Sequence, residues 1–216
     1  TGLALEDEHA RVPHPSDESV TALRLFLEAA HPDPLPNGQE LASLSYFDPQ
    51  TGTLNLDSID LSESAYTKVD LAALSIVRHI KGHFKLNSTI QIRQLQGLDN
   101  LETIRGDFHL ANIEAEEILG LNKLREVSGN LVISGGQATE ICGFNSLRRV
   151  GSLSIENNDA LELISGFNRL IRIDGEFLVR GNKHLSTVSG FSALQETGSF
   201  EFSALPSLQV IAGMRG

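Results

Sequence analysis

The chain of 216 residues has one cysteine, Cys142, so no disulfide can form within it. Basic residues are in deficit: 17 lysines and arginines stand against 28 aspartates and glutamates, a formal net charge of −11. That balance argues against a nucleic-acid partner and offers an anionic membrane surface no basic patch. There is no apolar run of the ~18 residues a bilayer-spanning helix needs, and no secretory leader is recognisable. The phosphate-cradling glycine loop, HExxH and GxSxG are all missing, so no nucleotide, zinc-protease or serine-hydrolase chemistry and no cofactor is implied. Threonine is sparse and forms no column, unlike the ranked threonines of an ice-binding face. Aspartate lacks the fixed positions of a calcium-loaded nonapeptide repeat.

Glycine is what the chain does have, and it recurs on a schedule. Gly82, Gly106, Gly129, Gly151, Gly175 and Gly198 each open a five-residue phrase, from GHFKL to GSFEF, and Gly97, Gly120, Gly143, Gly166, Gly190 and Gly213 run in step. Each series advances by 22 to 24 residues. A fixed period in that range marks a solenoid, whose coils bury their apolar faces only by stacking. Two residues past the first glycine stand Phe84, Phe108, Leu131, Leu153, Phe177 and Phe200; four past it stand Leu86, Leu110, Ile133, Ile155, Val179 and Phe202. The residues between are polar or mixed, so each phrase alternates with period two, as a strand with one buried face does. Further apolar columns end in Leu95, Ile118, Ile141, Ile164, Val188, Ile211 and in Ile104, Val127, Val150, Ile173. These columns predict a right-handed parallel β-solenoid of about 23-residue coils with three sides, glycine serving two corners by positive φ or close backbone approach.

Coils are expected to start near residues 52, 82, 106, 129, 151, 175 and 198, the last incomplete, in a solenoid spanning 41–216. At ~4.8 Å per strand the rod is on the order of 30 Å long. Reading Gly52, Leu54 and Leu56 as the first phrase makes that coil 30 residues long and places an insertion over Asp57–Val69, around Tyr66, which is either a binding element or an inert loop. A chain that stops inside its seventh coil reads as a fragment or as one module of a longer protein.

Residues 1–40 break the pattern and form an N-terminal extension. A helix is predicted over about 16–30, N-capped by Ser16 or Asp17 and stopped by His31-Pro32, with Val20, Leu23, Phe26, Leu27 and Ala30 on its apolar face. It is expected to cap the first coil; the alternative is a partner-binding helix.

The outward positions of the first strand are where chemistry would show. His83, Lys85, Asp107 and His109 group on two neighbouring coils. Two histidines and an aspartate are ordinary metal ligands, but three or four ligands with outer support are the norm, so a solvated polar patch is the favoured reading and no metal is assigned. Cys142, just before a corner glycine, reads as a structural filler.

The phrases SLRRVGSLSIENNDALELISGF, LIRIDGEFLVRGNKHLSTVSGF and KLREVSGNLVISGGQATEICGF share the form LxxIxGxLxIxxNxxLxxIxGF. Over residues 50–216 this resembles the receptor L domain repeat, the leucine-rich-repeat-like coil of growth-factor-receptor ectodomains and of microbial surface proteins. The family's asparagine after the strand stands only at Asn158 and Asn182, with Thr89, Ile113, Gly136 and Leu205 at the matching sites. With one cysteine the chain also lacks flanking cysteine-rich modules, which favours a microbial surface or secreted protein over an animal receptor. The resemblance implies a non-catalytic recognition or adhesion module, extracellular or at the cell surface, binding a protein or glycan. The candidate face carries Lys85, His109, Val132, Leu178 and Glu201 in one column, with His83, Asp107 and Tyr66 beside it, and Val132 and Leu178 are expected to be exposed. The alternatives are a structural spacer and a polysaccharide-active β-helix enzyme. The edge of a terminal coil leaves edge-to-edge self-association open.

Overall fold

A computed structural model describes residues 16–30, 47–60, 71–87 and 95–214. They form a parallel β-solenoid of about six turns with one short N-terminal helix. The helix, Asp17–Ala30, begins where Ser16 Oγ accepts the Ser19 N–H at 3.2 Å, so Ser16 is the N-cap. Asp17 and Glu18 add negative charge to its first turn, where the helix dipole favours it. Leu23 and Leu27 are fully buried, Val20 and Phe26 partly so, and the helix packs on the 3₁₀ segment Leu71–Ile76 of the first coil. Burying each leucine stabilises that contact by roughly 1.5–3 kcal/mol.

Two sheets carry the coils, one of 11 strands and one of five, with every pairing parallel except the first in the larger sheet. The five-stranded sheet stacks the short strands Glu117–Ile118, Glu140–Ile141, Leu163–Ile164, Thr187–Val188 and Val210–Ile211. In the larger sheet Leu131, Leu153, Phe177 and Phe200 are direct ladder partners, as are Ile133, Ile155, Val179 and Phe202. The apolar columns are thus continuous stacks, buried from Phe84 to Phe191. Ring-on-ring stacking reinforces them: Phe84 on Phe108 at 5.4 Å, Phe144 on Phe167 at 5.1 Å, and Phe167 on Phe191 at 5.2 Å. Each such pair contributes about 0.5–1.5 kcal/mol beyond area burial.

The separate third side expected from the columns exists only in the early coils, as His79–Ile80 and Thr103–Ile104. From Glu126–Ser134 onward it runs straight into the first strand, through Arg149–Glu156, Arg172–Arg180 and Glu196–Ser203. The ladder shifts register between Val150 and Ser152 and between Ile173 and Glu176, so in these later coils Gly151 and Gly175 sit in a β-bulge that bends one long strand. Gly151 is required there by proximity, not by φ: a Cβ would lie 2.6 Å from the Gly129 carbonyl oxygen of the coil below. At the other corner the left-handed residue is often the one after the glycine: Leu121, Phe144 and Phe167 have φ of 54°, 62° and 64°. A left-handed conformation costs an L-residue roughly 1–2 kcal/mol, which complete burial of both phenylalanines offsets.

Just past the long strand lies a third left-handed column: Asn112, Gly135, Asn157, Gly181 and Ala204. A Cβ on Gly135 would stand 2.4 Å from Asn112 Oδ1, and one on Gly181 would stand 2.4 Å from Asn157 Oδ1. Next to it is a buried amide ladder. Asn158 Oδ1 accepts the Gly136 N–H at 3.0 Å, and Asn182 Oδ1 accepts the Asn158 N–H at 2.9 Å. Their amide groups donate to the Ile133 and Ile155 carbonyls. Ile113, in the same column, is instead part of the apolar core.

The first coil corrects the sequence register. Leu54 pairs with Ile80, not with Phe84, and Ser58–Asp60 pairs with His83–Lys85, placing Ile59 beside Phe84. Gly52, with φ of 66°, belongs to a turn in which Phe47–Asp48 and Thr53–Leu54 form an antiparallel pair. Ser58 and His83 are 25 residues apart, so this coil has ordinary length and no insertion over Asp57–Val69 is needed. Residues 61–70, with Tyr66, lie outside the described residues. At the other end Glu196–Ser203 and Val210–Ile211 each pair on one side only, leaving Phe200, Val210 and Ile211 about half exposed.

Candidate functional site

The outward column is a single ladder. Asp60, Lys85, His109, Val132, Ser154, Leu178 and Glu201 are successive strand partners, spanning roughly 29 Å at ~4.8 Å per rung. Lys85 Nζ pairs with Asp60 Oδ2 at 3.6 Å, and both side chains stay about 40 % exposed. His109 is half-buried, and that burial lowers its pKa; the Asp107 carboxylate opposes the effect while Lys85 and His83 add to it. Val132 is half-buried and Glu201 exposed.

Leu178 departs from expectation. It faces outward and lies outside the core cluster, yet it is only 9 % exposed. Its rung partners Ser154 and Glu201 flank it, and the Arg180–Glu156 ion pair, at 2.7 Å, stands two residues along the same face. The pleat set its direction correctly, but a central position in the sheet, with a paired strand on either side, leaves it little exposed.

His83 and Asp107 are employed within the fold. The Asp107 N–H donates to His83 Nδ1 at 3.0 Å, and Asp107 Oδ1 in turn accepts the Asn130 N–H at 2.7 Å. Two coils on, Ser152 Oγ accepts the Glu176 N–H at 3.2 Å. All these residues directly follow the first glycine of their phrase, where the ladder is interrupted between short strands at Gly82 and Gly106 and bulged at Gly151 and Gly175. Each side chain therefore replaces a lost main-chain acceptor for the coil above it. An Nδ1 that accepts carries no proton, which leaves the ring proton on Nε2. The same nitrogen lies 3.1 Å from Asp107 Oδ2. Among the described residues no group of three or more His, Cys, Asp or Glu side chains is arranged to hold a metal ion.

Many other outward charges are also spent on neighbouring coils. Glu102 lies between Arg78 and Arg125, at 3.7 and 3.9 Å. Asp174 bonds Arg172 and Arg149, which hold its carboxyl below the usual range, and Arg172 also pairs with Glu196. Lys183 meets Asp159 at 3.0 Å. Cys142 is half-buried with Sγ 3.9 Å from the Ile118 carbonyl; burial raises its pKa, as do the nearby Glu140 and Glu117.

Sequence reasoning missed one feature of this surface. A hollow of about 320 Å³ opens on the turn side of the coils, lined by Arg125, Ser146, Arg148 and Arg169.

Compared with known proteins, the chain matches no family model, no curated protein and no solved structure. No helix among the described residues is long and apolar enough to cross a membrane.

Proposed function

We propose that this chain is a non-catalytic recognition module of receptor L type. It works at a cell surface or in a secreted protein and binds a protein or glycan through the outward column of its first strand. The observation that supports this is the unbroken ladder from Lys85 to Glu201, in which cationic, imidazole, apolar and acidic side chains share one face of a continuous sheet. A ligand docking there meets groups fixed in spacing by the backbone, so little ordering entropy opposes binding. Glu102, Asp174, Glu156 and Asp159 are each paired with a cation, which leaves them engaged rather than converging as a hydrolase needs. Those same coil-to-coil pairs support a second reading, a structural spacer that uses its surface to hold itself together.

The test is a binding screen of the purified chain against arrays of glycans and purified surface proteins. The Lys85→Ala, His109→Ala, Val132→Ser triple variant is the comparison. Binding lost in the variant at unchanged Tm supports recognition by this face. Binding retained in the variant moves recognition elsewhere, and a chain that binds nothing leaves the spacer as the better reading.

A further inference from the structure

We infer that the arginine-lined hollow on the turn side of the coils is a binding site for a tetrahedral oxyanion, sulfate or phosphate. It does not depend on the proposed recognition face, since it lies on another side of the coil. Its origin is legible in the stacking. The residue after the turn leucine is Glu102, Arg125, Arg148 and Ile171 in successive coils, their main chains bonded at 2.8–2.9 Å. Arg125 has Glu102 beside it, at a loose 3.9 Å. Arg148 has Arg125 on one side and an isoleucine on the other, so its own column offers it no carboxylate. In the neighbouring column Lys123, Ser146 and Arg169 follow at the same spacing, and the short serine between two long cations leaves the hollow open. Lys123 donates to Asn100 Oδ1 at 2.6 Å, leaving the guanidinium groups to line the space.

Arg148 and Arg169 have no ion pair or side-chain hydrogen bond among the described residues, whereas Arg78, Arg149, Arg172 and Arg180 are all paired with carboxylates. Three guanidinium groups around one cavity, in a chain of net charge −11, repel one another unless an anion sits between them. Each guanidinium presents a planar fork of N–H donors that matches an oxyanion, and Ser146 Oγ adds a hydroxyl. The volume is at the small end of the ~300–1,000 Å³ of ligand pockets, enough for one anionic group with its immediate substituent. No aromatic or apolar side chain lines it, which removes any stacking surface for a nucleotide base.

The experiment is titration calorimetry at low ionic strength with inorganic sulfate, inorganic phosphate and a sulfated disaccharide as probes. The expected result is one saturable site, weakened about tenfold by Arg148→Gln and by Arg169→Gln but not by Arg180→Gln, which removes equal charge from an ion pair elsewhere. Tighter binding of the disaccharide than of inorganic sulfate assigns the anion to a sugar ester; equal binding assigns it to the free ion. Ser146→Phe fills the hollow without altering charge and is expected to abolish the site. Arg148→Gln is expected to leave Tm unchanged or raise it, because it relieves repulsion. Absence of saturable binding, equal weakening by Arg180→Gln, or loss of Tm in Arg148→Gln overturns the inference.

Discussion

Phe167 offers the sharpest test of the corner geometry. It is fully buried, stacks on Phe144 at 5.1 Å and Phe191 at 5.2 Å, and holds a left-handed φ of 64°. Truncation to alanine removes the ring and both stacks, at a cost of about 3–5 kcal/mol. Alanine keeps a Cβ, so it inherits the backbone strain; glycine does not. At an ordinary position glycine is less stable than alanine by roughly 0.5–1 kcal/mol through its larger loss of chain entropy. At Phe167 relief of ~1–2 kcal/mol of left-handed strain outweighs that entropy, so Phe167→Gly should be more stable than Phe167→Ala by about 0.5–1 kcal/mol. Phe191 supplies the control. It is equally buried, but the left-handed residue at its corner is Gly190, with φ of 88°. There Phe191→Gly should be the less stable of its pair. Urea unfolding of the four variants, followed by circular dichroism with midpoints and slopes compared, reads both differences. Glycine less stable than alanine at both positions would refute the left-handed assignment.

Other consequences follow from individual groups. Asn182→Leu deprives the buried Asn158 N–H and Ile155 carbonyl of their partners and should cost about 2–4 kcal/mol in urea unfolding, even though leucine suits the site at Leu205 one coil on. His79 and His109 both have pKa values lowered from 6.5, chiefly by burial. The unfolded chain then binds more protons than the folded one, so stability is full above pH 6.5 and falls as the pH drops through 6.5 toward the folded pKa values. Tm measured from pH 7.5 to 5.5 should fall, and the fall should shrink in the His79→Gln, His109→Gln double variant. Cys142, with its thiol pKa raised by burial, should react with an aromatic disulfide reagent more slowly in the native chain than in urea.

The stacks from Phe84 to Phe191 were legible because an inward column must be apolar in every coil, and repetition multiplies a weak period-two signal. The first coil was misread because Gly52, Leu54 and Leu56 fit the same glycine-led phrase as Gly82, Phe84 and Leu86. Alternation alone cannot tell which side of the coil a phrase occupies; the pairing of Leu54 with Ile80 can. Exposure on the outward face was legible in direction but not in degree, as Leu178 shows, since the pleat fixes which way a side chain points and not how crowded its surroundings are. His83 and Asp107, candidate ligands by residue type, instead accept main-chain N–H groups of the next coil. A usable signal was present: the residue after the first glycine of the phrase is His83, Asp107, Asn130 or Ser152, each with an acceptor atom. The arginine hollow needed stacking to appear, because Ser146 lies between Lys123 and Arg169 in space and not in sequence.

The alternation of asparagine and glycine in the left-handed column has a bearing on how such a chain can change length. Asn112 and Asn157 each place an amide oxygen where the next residue up, Gly135 or Gly181, has no Cβ. Along this column asparagine and glycine alternate from Asn112 to Gly181, whereas each inward column stays apolar from coil to coil. Excising the coil that carries Gly135 would seat Asn157 on Asn112 and force an amide out of its place, whereas excising the coil that carries Asn157 seats glycine on glycine. Loss of one rung is therefore expected to be tolerated where the asparagine coil goes and resisted where the glycine coil goes, although the two deletions remove almost the same length of chain.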